Sequence, residues 1–371
     1  MHTAIDPQNE ACPEPAEGNS VFRTPISDRP MSTNATPTGS ALTVFDAKLS
    51  TLLNSTNESK HVSTANRDMD LKIYDSPIFS VGQWNFSPSK AICVDLQSLR
   101  ELEGGDLRGI IGSDALGECV LYLDFDHGTM RITKDNVSPP VGMQRLSLYK
   151  TTYNAPIVKL DLDGRVMSLV IDTGYNNCFG LRHEIFAGMI ADGTIVLKGD
   201  ATAMGESGKM KSRWGTFTKG QLLGVSLVGL PVMETNKIAT IGLGFLLNFN
   251  LVVNFKSGDL FYQIREAKPP ILAGEMLGAI LKFSDGDSYV YSLYPYPSPA
   301  QIAGLKVGDR ILRLGPLSKA EINSRAIYEL CLRHPGEALP VELLRSGEKN
   351  SISTQIKLEE YRFIYPPREP H

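Results

Sequence analysis

The stretch Ser168-Leu169-Val170-Ile171-Asp172-Thr173-Gly174 decides how the rest of the chain is read. Three apolar residues, two of them β-branched, run straight into an acid, a small hydroxyl residue and a glycine. Branched side chains suit a pleated, half-buried surface, so the run predicts a strand. It ends where Gly174 permits a tight turn and the Thr173 hydroxyl can bond neighbouring backbone. A carboxylate is thereby presented at the tip of a rigid strand. Asp-Thr-Gly also occurs as an ordinary surface turn, so its surroundings have to carry the reading.

Upstream, the β-type runs Ile157–Leu162 and Val166–Ile171 flank Asp163-Gly164, a hairpin signal. Downstream, residues 198–220 are rich in Gly, Ser and Lys around Trp214 and Phe217, and read as a hairpin or a long loop. Val225–Val232 reads as a further strand. The passage Ala239–Tyr262 then matches Gly109–Ile132 from end to end without a gap. Ile241 meets Ile111, Gly242 meets Gly112, Leu246 meets Leu116, Phe255 meets Phe125 and Gly258 meets Gly128. Each copy reads as an apolar strand to glycine, a short helix, a strand ending in Asx-Phe, a glycine turn and another strand. Such self-similarity marks a repeated structural unit. Asp46 closes the β-type run Ala41–Phe45, and it precedes Gly112 by nearly the same interval as that from Asp172 to Gly242. On that spacing Asp46 is matched with Asp172.

The chain divides accordingly. Residues 1–40, rich in Pro, Ser, Thr, Asn and Gly, read as disordered. Residues 41–134 form a first lobe, 135–154 a linker with adjacent prolines, and 155–265 a second lobe. Residues 272–360 form a C-terminal unit with a helix expected at 324–333 and strands at 339–345 and 351–357; 361–371 is a tail.

Composition excludes several function classes. With 371 residues, of which 42% are hydrophobic and 21% charged, the chain can build several cores. A net charge of -4 provides no basic footprint for nucleic acid and no polybasic membrane patch. The longest apolar run, 239–255, is broken by Gly242, Gly244, Asn248, Asn250 and Asn254, and falls short of the roughly 20 residues a spanning helix needs. The five cysteines are spread without a Cys-x-x-Cys, and the six histidines without a His-Glu-x-x-His, so neither metal nor other cofactor is expected. Buried free thiols fit a reducing compartment. No signal peptide is visible, which makes the cytoplasm the default, with the cell envelope as the alternative if translation starts elsewhere.

This organisation resembles the retropepsin-like aspartic proteases, in particular bacterial forms with two fused lobes and a C-terminal PDZ domain. The resemblance covers residues 41–265. It implies a mainly β protein with two related β-barrel lobes, each bringing an Asp-Thr/Ser-Gly turn beside a hydrophobic-hydrophobic-Gly segment. Ile171-Asp172-Thr173-Gly174 with Thr240-Ile241-Gly242 fits in the second lobe, and Ile110-Ile111-Gly112 in the first. It further implies that Asp172 and Asp46 form the catalytic pair, buttressed by Thr173, Gly174, Gly112 and Gly242. Two such carboxylates share one proton, so one activates water while the other polarises the peptide carbonyl. Asp46-Ala47-Lys48 departs from the family turn, and a cation there would favour two ionised carboxylates. Three arrangements therefore stay open: a working aspartic endopeptidase acting on polypeptides, a catalytically degenerate scaffold, and a homodimer that pairs two second lobes.

Ser298–Leu312 resembles the signature of bacterial PDZ domains, small α+β partly open barrels. That resemblance implies capture of peptide C-termini or extended segments by strand addition, with the turn Leu277, Gly278, Ala279 at the carboxylate and Ile280 opening the pairing edge.

Overall fold

The computed structural model describes residues 39–358, apart from 64–67, 82–83, 104, 106, 136–137, 150–154, 206–207, 237, 267–275 and 295–297. Strand makes up 48% and helix 16%, so the protein is mainly β. Among the described residues no sheet closes into the barrel expected for each lobe.

The first unit begins with β1 (Val44–Asp46), a 3-10 turn (Ala47–Leu52), β2 (Ser55–Ser63) and β3 (Asp68–Asp75). A small hairpin, β4 (Phe79–Val81) and β5 (Trp84–Phe86), leads to β6 (Lys90–Val94) and helix α1 (Gln97–Glu103). β7 (Gly109–Ile110), α2 (Ser113–Leu116), β8 (Val120–Asp124) and β9 (Thr129–Thr133) complete it. The stretch expected as a linker supplies a strand of its own, β10 (Gln144–Ser147).

The second unit begins with the hairpin β11 (Ile157–Leu162) and β12 (Arg165–Asp172). Its turn is the one expected: Asp163 and Gly164 both have positive φ, 54° and 81°, as a tight two-residue hairpin loop demands. β13 (Phe179–Arg182) and α3 (His183–Ala191) follow. Next come β14 (Ile195–Gly205) and β15 (Gly208–Phe217), so the Gly-, Ser- and Lys-rich region is a long hairpin. The unit ends with β16 (Gln221–Leu222), β17 (Val225–Ser226), β18 (Pro231–Thr235), β19 (Thr240–Gly242), α4 (Leu243–Leu246), β20 (Phe249–Asn254) and β21 (Asp259–Ile264).

The two units share a topology. The first has sheet order β2-β3-β6-β1-β7, and the second β11-β12-β19-β13-β18-β15-β14. β1 runs parallel to β6 and antiparallel to β7, as β13 runs parallel to β18 and antiparallel to β19. The units also share a sheet, β10-β21-β20-β8-β9, in which β20 pairs with β8 at Leu251↔Leu123 and Val253↔Leu121. One core runs beneath both, joining Leu116, Leu121, Leu123 and Phe125 to Leu169, Ile171, Phe179, Phe245 and Phe249. Burying each such side chain contributes about 1.5–3 kcal/mol. The lobes are thus fused through sheet and core, and the strand from the expected linker, β10, forms an edge of the shared sheet beside β21.

The C-terminal unit has a separate core. It starts with β22 (Ala279–Ser284), β23 (Asp287–Leu293) and a short helix Pro299–Ile302. β24 (Arg310–Leu314), β25 (Leu317–Ser318), the helix Ser324–Arg333, β26 (Ala338–Leu344) and β27 (Ile352–Lys357) follow. The helix falls where the sequence predicts it. Cys119, Cys178 and Cys331 are buried free thiols and Cys93 is half-buried. Among the described residues no helix is long and apolar enough to cross a membrane, and no group of three or more His, Cys, Asp or Glu is placed to hold a metal ion.

Candidate functional site

β12 carries Asp172 to the place where the sequence puts it. Leu169, Val170 and Ile171 are buried, which fixes the strand in the sheet. β12 runs parallel to β19 with Asp172 opposite Gly242. The Gly174 N–H donates to Asp172 Oδ1 at 2.9 Å, and Thr173 is buried beside it. Gly242 is required by closeness: a methyl there would lie 2.1 Å from the Asn177 carbonyl oxygen and 2.3 Å from that of Tyr175. The Tyr175 phenol is pushed well above its usual range, chiefly by burial, with the nearby Asp172 carboxylate adding to it. Asp172, Thr173, Gly174 and Gly242 are therefore one constellation.

Asp46 is elsewhere in the pattern, and the match made from spacing is corrected. It ends β1, and β1 is the counterpart of β13, whose last residue is Arg182. Asp172 ends β12, a strand for which the first unit has no counterpart among the described residues. Asp46 is 3% exposed and both of its oxygens are used internally. Oδ1 accepts from the Lys48 N–H at 2.9 Å, which caps the 3-10 turn. Oδ2 accepts from the Leu96 N–H at 3.2 Å and from the Arg100 guanidinium. Burial by itself raises the Asp46 carboxyl, but Arg100 and the two backbone donors outweigh it and hold it below the usual carboxylate range. The Lys48 side chain is exposed; the cation facing Asp46 is Arg100.

The true counterpart of the Asp172 turn is found through backbone hydrogen bonds. In the second unit the Leu243 N–H donates to the Tyr175 carbonyl at 2.6 Å. In the first unit the Ser113 N–H donates to the Ser40 carbonyl at 2.8 Å. Ser113 follows Gly112 as Leu243 follows Gly242, so Ser40 stands where Tyr175 does, and Gly39 where Gly174 does. Gly112 is cradled in the same way: a methyl there would lie 2.3 Å from the Leu42 carbonyl carbon and 2.5 Å from the Thr43 nitrogen. Counting back along the sequence, Thr38 matches Thr173 and Pro37 matches Asp172. Pro37 and Thr38 lie outside the described residues, so this last step is one of sequence alone. Gly39 itself meets the opposite turn. A methyl on it would lie 2.3 Å from Asp172 Cγ and 2.4 Å from Oδ2.

Gly39 of the first unit thus faces the Asp172 turn of the second across the seam. A single carboxylate can accept hydrogen bonds or take a proton.

In the C-terminal unit Leu277 and Ala279 are buried in the core, and Ile280 is half-buried on β22. Gly278 has φ +68°, and a methyl on it would lie 2.7 Å from both Ser298 Cβ and Pro299 Cδ, so the turn packs under the start of the helix Pro299–Ile302. The Gly278 carbonyl accepts from the Tyr294 N–H at 3.0 Å. β22 pairs with β23 on one side, and its other edge carries no strand among the described residues.

No protein-family model matches the chain, and no curated protein matches its sequence.

Proposed function

We propose that the chain is a retropepsin-like two-lobed scaffold that has lost the second catalytic carboxylate, and that it works as a peptide-binding protein through a PDZ-like C-terminal unit. The observation that carries this reading is the pair of equivalent hydrogen bonds, Ser113 to Ser40 and Leu243 to Tyr175. From it the sequence counts back to Pro37 where the second unit has Asp172. Gly39 against the Asp172 carboxylate supports the match of the two turns, since it brings the first unit's Thr-Gly segment to the second unit's acid. The homodimer alternative would require that segment to move aside. Peptide binding is supported by the edge of β22 that pairs with no further strand among the described residues, because such an edge has a row of backbone groups that an incoming chain can pair with.

The test has two parts. Incubating the full chain with unstructured polypeptides at pH 4 and pH 7, with mass spectrometry of new chain ends, is expected to show no cleavage that Asp172→Ala removes. Cleavage abolished by that substitution would overturn the reading in favour of an endopeptidase. Fluorescence anisotropy is expected to show binding of labelled peptides with a free C-terminal carboxylate and not of the same peptides amidated.

A further inference from the structure

Helix α1 is held at both ends by different units. On one side Arg100 pairs with the buried Asp46, the Leu96 N–H donates to the same carboxylate, and Leu99 packs on the first unit's small core of Val44, Ile73, Ile92 and Val94. On the other side the last turn of α1 lies against β22. Glu101 Oε2 is 2.8 Å from Lys282 Nζ, on that strand. The next residue along, Leu102, accepts through its carbonyl from Ser324 Oγ at 3.3 Å, at the first position of the helix Ser324–Arg333. Consecutive residues of α1 therefore touch β22 and the start of the helix Ser324–Arg333. Burial by itself raises the Glu101 carboxyl, but Lys282, Gln97 and Arg100 together hold it below the usual carboxylate range.

A peptide added to the free edge of β22 would have to lie about 4.8 Å from it. That puts it between β22 and the helix Ser324–Arg333, in the space the last turn of α1 takes up. We propose that α1 is an internal plug of this edge, and that a peptide C-terminus gains the edge only when Glu101 and Leu102 withdraw. The inference rests on the peptide-binding reading above and adds its regulation. The plug is a reversible one. Its contacts to the C-terminal unit include one ion pair, with the Lys282 side chain 35% exposed, and one hydroxyl–carbonyl bond. Such contacts are individually weak. Peptide affinity is then lowered in proportion to the fraction of molecules with the edge uncovered.

The same geometry gives the plug a second consequence. α1 also lies beside β14 of the second unit, so its withdrawal would be felt by all three units. Asp46, to which the family resemblance gives a catalytic role, becomes the anchor from which α1 reaches across.

The experiment measures anisotropy with the full chain. The probe is a fluorescein-labelled set of ten-residue peptides, randomised ahead of a C-terminal Val, Leu, Ile or Phe with a free carboxylate. Glu101→Lys sets two cations against each other at the plug and is expected to bind the probe about three- to tenfold more tightly than wild type. The double variant Glu101→Lys/Lys282→Glu restores an ion pair and should return affinity toward the wild-type value. Glu101→Ala, which merely removes the pair, should fall between them and serves if Glu101→Lys does not fold. Equal affinity across wild type and the single variants refutes the plug while leaving peptide binding intact. Absence of binding by every form refutes the peptide-binding reading, and the plug with it.

Discussion

Asp46→Asn and Asp172→Asn should behave in the opposite way to the one a catalytic pair would dictate. In the structure Asp46 is 3% exposed and forms an ion pair with Arg100, whose side chain is 14% exposed. Removing the charge leaves Arg100 with the Leu107 carbonyl at 3.3 Å, Gln97 Oε1 at 3.0 Å and the exposed Asp95 carboxylate at 3.9 Å. Breaking a buried ion pair by removing one partner costs about 3–5 kcal/mol, and the remaining partners, Asp95 among them, bring the figure to the lower end. The asparagine keeps one carbonyl oxygen where the carboxylate had two, so either the Lys48 or the Leu96 N–H loses its acceptor, at about 1 kcal/mol. The expected cost is therefore about 3–4 kcal/mol in equilibrium urea unfolding followed by circular dichroism. Asp172 is less buried and its Oδ1 accepts a turn contact from Gly174, so Asp172→Asn should change stability by about 1 kcal/mol or less. Equal stabilities for Asp46→Asn and wild type would refute the structural role assigned to Asp46.

Gly242→Ala would drive a methyl onto two backbone carbonyls, an overpacking that should cost about 3 kcal/mol, measured by the same unfolding assay. Glu234 is held at about 2, first by the two-point grip of Arg213 and then by His183, against an ordinary value of 4.5. Its folded pKa is depressed, so its share of stability is present above about pH 4.5 and lost as pH falls toward 2. Glu234→Gln should lower stability at pH 7 and flatten the decline of the thermal midpoint between pH 4.5 and pH 2.

What is legible in the sequence is what backbone geometry demands. Gly112 and Gly242 each lie where a side chain would strike a carbonyl group, which is why the gapless repeat around them can be read at all. The hairpin at Asp163-Gly164 and the helix at Ser324–Arg333 follow from turn chemistry and from the asparagine cap of Asn323. Spacing misplaces the partner turn because it anchors the match on an acid. Thr38-Gly39 lies farther ahead of Gly112 than Thr173-Gly174 does of Gly242, so the register slips by a few positions upstream of the repeat. The signal is the Thr-Gly pair, and Pro37 hides it. β2 is silent for another reason. Ser-Thr-Asn-Glu-Ser-Lys-His-Val-Ser has no apolar alternation, and it forms a strand because β3 pairs with it. α1 and α3 give no clear signal either, α1 because its role lies in contacts to other units.

The sheet shared by the two lobes sets a schedule for synthesis. β8 finds its partner in β20, with Leu123 paired to Leu251, far downstream in the chain. A ribosome adding about 5–20 residues per second leaves the edge of β8 unpaired for about 6–26 seconds before β20 is made. Through that interval Val120, Leu121 and Leu123, which end up buried, are exposed on an unfinished strand. Contacts so distant in sequence also close slowly once both strands exist. The seam that sets Gly39 against Asp172 is thus among the last parts of the molecule to form, and the nascent chain is most vulnerable to edge-to-edge aggregation until it does.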